Sequence, residues 1–184
     1  TIQFDSFRGL MLKKYKFDGY NTDTDLSDLD EEITFVEKGT PCGELLLRYW
    51  HPVLLSEELE ELPKLIKVLG EELVLFRDKS GQIGLLHKHC AHRGASLEYG
   101  IVADCGLICS YHGWQYDIDG TLIKAGSEPC KSPVHKRVKQ GAYQTHEQEG
   151  IIFAYLGPPE LLPEFPLYDT QLDTTIKKVP FTIE

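Results

Sequence analysis

No stretch of this sequence stays apolar over the roughly 18 residues that a membrane-spanning helix needs. Its first residues, Thr1 to Lys16, scatter Asp5, Arg8, Lys13, Lys14 and Lys16 among the apolar ones, which denies it the uninterrupted apolar core of a secretory signal. Positive charge is scarce as well. Against 29 Asp and Glu there are 19 Lys and Arg, a net charge of −10, and phosphate binding needs the opposite footprint, so nucleic acid is not the expected partner. Cysteine is sparse and odd in number, five in 184 residues. Without a secretory signal, that usage points to a reducing, cytoplasmic setting where thiols stay free or bind metal, and away from a disulfide framework. What remains is ordinary: 41% apolar residues, with 9 Tyr and 8 Phe, fit a globular protein of one sizeable domain plus flanking structure. The chain starts on Thr, and further residues are expected ahead of it.

Three regions are expected. Residues 1–39 form an acidic, loosely ordered leader, with seven acidic and no basic residues between Asp18 and Glu32. Residues 40–158 form the folded domain. It opens on a short N-terminal helix with Thr40 as N-cap and Pro41 in the first turn, ahead of the apolar Leu45, Leu46, Leu47, Tyr49 and Trp50. After it the pattern turns to strands: His51–Leu55, Leu65–Leu69, Leu73–Phe76, Ile83–Leu86, Leu107–Cys109, Trp114–Ile118, Thr121–Ile123, Ala142–His146 and Ile151–Tyr155. Turn signals at Asp78-Lys79-Ser80-Gly81 and Asp119-Gly120 separate several of them. Many short, closely spaced strands with little helix indicate a mostly β fold, an antiparallel sandwich or barrel. Residues 159–184 begin proline-rich and are expected to leave the domain as an extended arm.

Cys90-Ala91-His92-Arg93-Gly94 and Cys109-Ser110-Tyr111-His112-Gly113-Trp114 carry the chemistry. Each segment follows an expected strand and offers one thiolate and one imidazole. A [2Fe–2S] cluster takes four protein ligands, two per iron, and two such loops can place both thiolates on one iron and both imidazoles on the other. The neutral imidazoles lower the negative charge and raise the reduction potential. Gly94 and Gly113 permit close backbone approach. A structural zinc module is the alternative, although its usual pairs are Cys-x₂₋₄-Cys and His-x₃₋₅-His, not the mixed spacing found here.

CAHRG followed by CSYHGW resembles the cluster signature of Rieske oxygenases, the α-subunits of ring-hydroxylating and related mono- and dioxygenases. GTPCGELLLRYWHPVLLSEEL before the signature and YQTHEQEGIIFAYLGPPELLPEFP after it resemble the phthalate dioxygenase-like group. The resemblance spans about residues 33–168 and implies a Rieske-type β fold with a small subdomain of two cluster-binding loops. It also implies Cys90, His92, Cys109 and His112 as ligands, and electron exit through His112. A flavin reductase or ferredoxin would be the electron donor, a mononuclear Fe(II) in a separate C-terminal domain the acceptor, and an aromatic or similar apolar compound the substrate. The assembly implied is a homotrimer. Rieske subunits of cytochrome bc complexes resemble CTHLGC and CPCHG instead. Gly94-Ala95 and Tyr111 stand where their extra cysteines would be, so the loops are expected to be unbridged and the potential low, about −150 mV.

The oxygenase iron site, a 2-His-1-carboxylate triad, has no match here: after the signature only His135 and His146 remain, at unsuitable spacing. The chain is therefore expected to be the N-terminal part of a larger oxygenase; a stand-alone Rieske ferredoxin is the alternative. Other chemically active residues read as structural. Cys105 is expected to be a buried free thiol, and Cys42 and Cys130 have no assigned role. His87 and His89 are expected to face solvent or support the first loop, Trp114 and Tyr111 to cover the cluster, and Lys131–Lys139 to be a solvated basic loop.

Overall fold

A computed structural model describes residues 30–182 apart from 127, 130, 131 and 174. Most of the acidic leader, together with Cys130 and Lys131, lies outside the described residues. The end of the leader forms one helical turn, α1 (Glu31–Thr34). Helix α2 (Pro41–Leu46) starts as its sequence requires: Thr40 is extended, and its Oγ1 accepts from the Gly43 N–H at 3.1 Å.

Ten strands follow: β1 (Trp50–Leu55), β2 (Lys64–Val68), β3 (Glu71–Arg77), β4 (Ile83–His87), β5 (Ile101–Val102), β6 (Leu107–Ile108), β7 (Gln115–Tyr116), β8 (Leu122–Lys124), β9 (Ala142–Gln148) and β10 (Ile151–Tyr155). They make two antiparallel sheets, a six-stranded one in the order β1-β10-β9-β4-β3-β2 and a four-stranded one in the order β5-β6-β7-β8. This is the mostly β, antiparallel architecture anticipated from the strand spacing. Pro52 sits in β1, an edge strand, where a missing N–H breaks no ladder.

The centre of the large sheet is buried on both faces. Leu73, Leu75 and Leu85 point into one apolar cluster with Leu47, Leu59, Ile152, Ala154 and Leu156. Their neighbours Val74, Phe76 and Leu86 point into a second cluster with Leu97, Leu107, Trp114, Tyr116 and Leu122. The period-2 alternation of a strand thus explains why Leu73–Phe76 carries an unbroken apolar run. The second cluster is the one that also contains Cys90 and Cys109.

Three local expectations change. The basic loop contains a helical turn, α3 (Val134–Arg137). Strand β5 pairs with β6 although only two residues long, too short to leave a periodic signal. The proline-rich segment does not leave the sheet at once: the Trp50 Nε1–H donates to the Pro163 carbonyl at 3.2 Å, and Phe165 packs against Trp50, His146 and Phe153. A last turn, α4 (Asp169–Leu172), follows.

Candidate metal centre

The two motif segments are the connections from β4 to β5 and from β6 to β7, and they fold alike. In the first, the Cys90 N–H donates to the Ala95 carbonyl at 2.9 Å and the Gly94 N–H returns to the Cys90 carbonyl at 2.8 Å. In the second, the Cys109 N–H donates to the Trp114 carbonyl at 2.7 Å and the Gly113 N–H to the Cys109 carbonyl at 3.0 Å. Each turn closes on a glycine in the left-handed region, Gly94 at φ +72° and Gly113 at φ +70°. A Cβ at either would meet no protein atom within 4 Å, so the backbone conformation, not crowding by the protein, demands glycine.

The structure brings the four candidate ligands together as two pairs. Both thiols are buried, Cys90 at 3% and Cys109 at 2% exposure, and the two lie beside each other. Burial first, and then the neighbouring Cys90, pushes the Cys109 thiol above its ordinary value, while the backbone N–H groups of Tyr111 and His112 directed at its sulfur oppose that shift. Both imidazoles are half-buried, with ring centroids 4.7 Å apart. His92 stacks on Trp114 at 4.3 Å with planes only 4° apart. Burial, followed by the facing His112 and by Arg93, holds the His92 imidazole below its usual range, which favours the neutral, metal-binding form.

His92 Nδ1 is a buried ring nitrogen without a hydrogen-bond partner. Such an orphan is costly unless a ligand takes it up. Among the described residues no three His, Cys, Asp or Glu side chains converge on a site for one metal ion. Sulfur donors inside and nitrogen donors at the rim, each as a pair, match a group that takes two ligands on each of two metals.

Tyr116 belongs to this site and carried no motif signal. It is fully buried, and its hydroxyl lies 3.1 Å from Cys90 Sγ. Either atom could donate in this contact; a deprotonated, metal-bound sulfur could only accept, which would make the phenol the donor. Burial first, and then the hydrogen bond to Cys90, raises the Tyr116 pKa strongly and keeps it a donor. The available signal was Trp114 and Tyr116 at a spacing of two, which puts both rings on one face of a strand. Asp78 was missed too. Buried at 3%, it accepts from Ser80 Oγ, Gln82 N–H and Gly106 N–H, and so joins the β3–β4 turn to the β5–β6 turn.

Of the residues expected to be structural, two are placed differently. Cys105 is exposed, because it sits at the β5–β6 turn and not on a buried strand face. Tyr111 is 63% exposed and covers His112 from the outside, ring centroids 3.9 Å apart, whereas Trp114 is buried at 4%. His87 and His89 reach the surface; His89 Nδ1 also lies 3.0 Å from the Gly94 carbonyl within the first loop. Cys42, Cys90, Cys105 and Cys109 are all free, so no bridge joins the two loops. No helix among the described residues is long and apolar enough to cross a membrane.

Known proteins resemble this chain in sequence and in fold. A family profile for the Rieske [2Fe–2S] domain matches residues 49–144, more than half of the chain. The oxygenase subunit of tert-butanol monooxygenase/tert-amyl alcohol desaturase from Aquincola tertiaricarbonis is 49% identical over 152 residues, 82% of this chain and 32% of that protein. The oxygenase subunit of phthalate 4,5-dioxygenase from Pseudomonas putida is 43% identical over 71% of this chain and 30% of its own length. Among solved structures, NdmA of Pseudomonas putida CBB5 (a QL mutant with caffeine) superposes with a TM-score of 0.63 at 32% identity, covering 71% of this chain and 40% of that one. The chain spans about a third of the length of the curated relatives it matches.

Proposed function

Because this chain belongs to the Rieske [2Fe–2S] domain family, we propose that Cys90 and Cys109 hold one iron of its cluster, that His92 and His112 hold the other, and that the domain is the electron-transfer part of a non-haem iron oxygenase. The observation that carries the assignment is the sorting of the four side chains, thiols together in the core and imidazoles together at its rim. Bound there, the cluster supplies one-electron transfer, its imidazole ligands raising the potential above that of an all-thiolate cluster.

The chain's own residues do the rest. The Tyr111 and His112 N–H groups and the Tyr116 hydroxyl donate to the two sulfurs and offset thiolate charge. Trp114 fixes the His92 ring and keeps water from its inner side. His112 is half-buried beneath the exposed Tyr111, which supports it as the route of electron exit.

A flavin reductase or ferredoxin would deliver single electrons. A mononuclear Fe(II) in a C-terminal domain would receive them for O₂-dependent hydroxylation of an aromatic or similar apolar substrate. The oxygenase names of the relatives support this reading, and their reactions, on tert-butanol and on phthalate, keep the substrate class broad. A cytoplasmic homotrimer is the assembly proposed for the full protein.

The test is reconstitution with iron and sulfide. Wild-type protein should show visible absorption and a reduced-state EPR signal, and His92→Ala and His112→Ala should each lose the Rieske spectrum; an unchanged spectrum would reject that ligand. A redox titration should give about −150 mV, and a value well above 0 would reject the oxygenase assignment. Coding sequence beyond Glu184 bearing an acidic-x₂-His-x₄-His motif separates the oxygenase from a stand-alone ferredoxin.

A further inference from the structure

Just before β9, Gln140 is 2% exposed and spends its whole side-chain amide on the first ligand loop. Its Nε2 donates to the His87 carbonyl at 2.9 Å and to the His89 carbonyl at 3.0 Å, and its Oε1 accepts from the Ala91 N–H at 2.7 Å. The three partners alternate along the chain, bracket Cys90 and end one residue before His92. Two carbonyls and one N–H also fix which way the amide points, since the flipped group would set its oxygen against both carbonyls.

The backbone of the same residue is tied elsewhere. The Gln140 N–H donates to the Gly120 carbonyl at 2.8 Å, and the neighbouring Lys139 bridges to Thr121. Gly120 is the turn of the β7–β8 hairpin, and a Cβ there would collide with the Gln140 carbonyl oxygen, so the two backbones are in contact. That hairpin begins where the second ligand loop ends, at Trp114. By contrast, the Cys90 backbone bonds to Ala95 and Gly94 lie within the first loop, and they shape it without placing it against the second.

We infer that Gln140 is a positioning residue that sets the loop of Cys90 and His92 against the loop of Cys109 and His112, and so fixes the separation of the thiol and imidazole pairs. This rests on the ligand assignment above. Gln140→Met keeps length and volume but loses all three hydrogen bonds; Gln140→Glu keeps an acceptor for the Ala91 N–H and loses the donors.

The test compares both variants with wild type as iron–sulfur-loaded protein, well below the unfolding temperature. With an iron chelator present, Gln140→Met should bleach at least ten-fold faster, its reduced-state EPR g values and potential should shift, and hydrogen exchange in a peptide covering residues 87–92 should rise. Gln140→Glu, which sets an oxygen against the two carbonyls in place of the amide donor, should shift in the same direction. A residue that merely supports the fold would lower Tm and leave the g values and potential of the folded protein unchanged; that result, or bleaching at the wild-type rate, overturns the inference. If Gln140→Met does not accumulate as loaded protein, Gln140→Glu carries the same comparison, and wild-type behaviour in it overturns the inference equally. A wild-type protein without a Rieske signal would instead defeat the ligand assignment, which keeps the two failures apart.

Discussion

A hydroxyl held 3.1 Å from a buried sulfur favours whichever redox state puts more charge on that sulfur. Tyr116 should therefore stabilise the reduced cluster more than the oxidised one. Tyr116→Phe removes only the oxygen, so the fold should persist while the potential falls. A differential hydrogen-bond worth of about 1 kcal/mol corresponds to about 40 mV for one electron, and a redox titration of the variant checks it; an unchanged potential would mean the hydroxyl does not donate to Cys90. The four candidate ligands stand out in the sequence because their residue types and short local spacing carry the chemistry. Tyr116 and Gln140 do not, because each acts across the fold on a partner far away in sequence; the spacing of Trp114 and Tyr116 indicates a shared strand face but not the sulfur it reaches, and a lone Gln offers no period at all.

Strands were legible where they were long. β3, β4, β9 and β10 each have five to seven residues with apolar alternation or runs, and their positions agree with the sequence to within a residue or two. Of the two-residue strands, β6 and β7 lie within expected strands, whereas β5 exists only by pairing with β6, which is a tertiary fact. The same distinction separates two glycines. Gly113 and Gly120 share the left-handed conformation, at φ +70° and +83°, but only Gly120 presses on another backbone. Gly113→Ala should cost about 1–2 kcal/mol of backbone strain, whereas Gly120→Ala adds an overpacking cost of about 1–3 kcal/mol. Chemical denaturation of the two variants should rank them in that order. The proline-rich segment poses a separate test. Phe165 is clamped by Trp50, His146 and Phe153. Phe165→Ala should lower stability by about 1–2 kcal/mol, less than for a fully buried Phe, and make residues 158–168 more open to protease. Wild-type resistance in that segment would show that the ring is not its anchor.

On the scale of the whole molecule, Asp78 is the polar rivet between the large sheet and the small one. Burial pushes its carboxyl up, but the donors on Ser80, Gly106 and Gln82 outweigh that and leave its pKa below the ordinary value. A folded pKa below the unfolded one means that the stabilisation is complete above the unfolded carboxylate range, about pH 4, and is lost as acid carries the pH down through the folded value. Asp78→Asn should thus cost about 1–3 kcal/mol near neutral pH and flatten the acid limb of the stability curve. Equilibrium unfolding at pH 7 and at pH 3 would reveal the difference, and an equal loss at both would remove the carboxylate from that account.

The ligand pocket is lopsided, with sulfur set into the interior and nitrogen at the rim. An occupant would be sheltered on its sulfur side by the core and more open on its histidine side, so erosion of such a centre should begin with a released histidine.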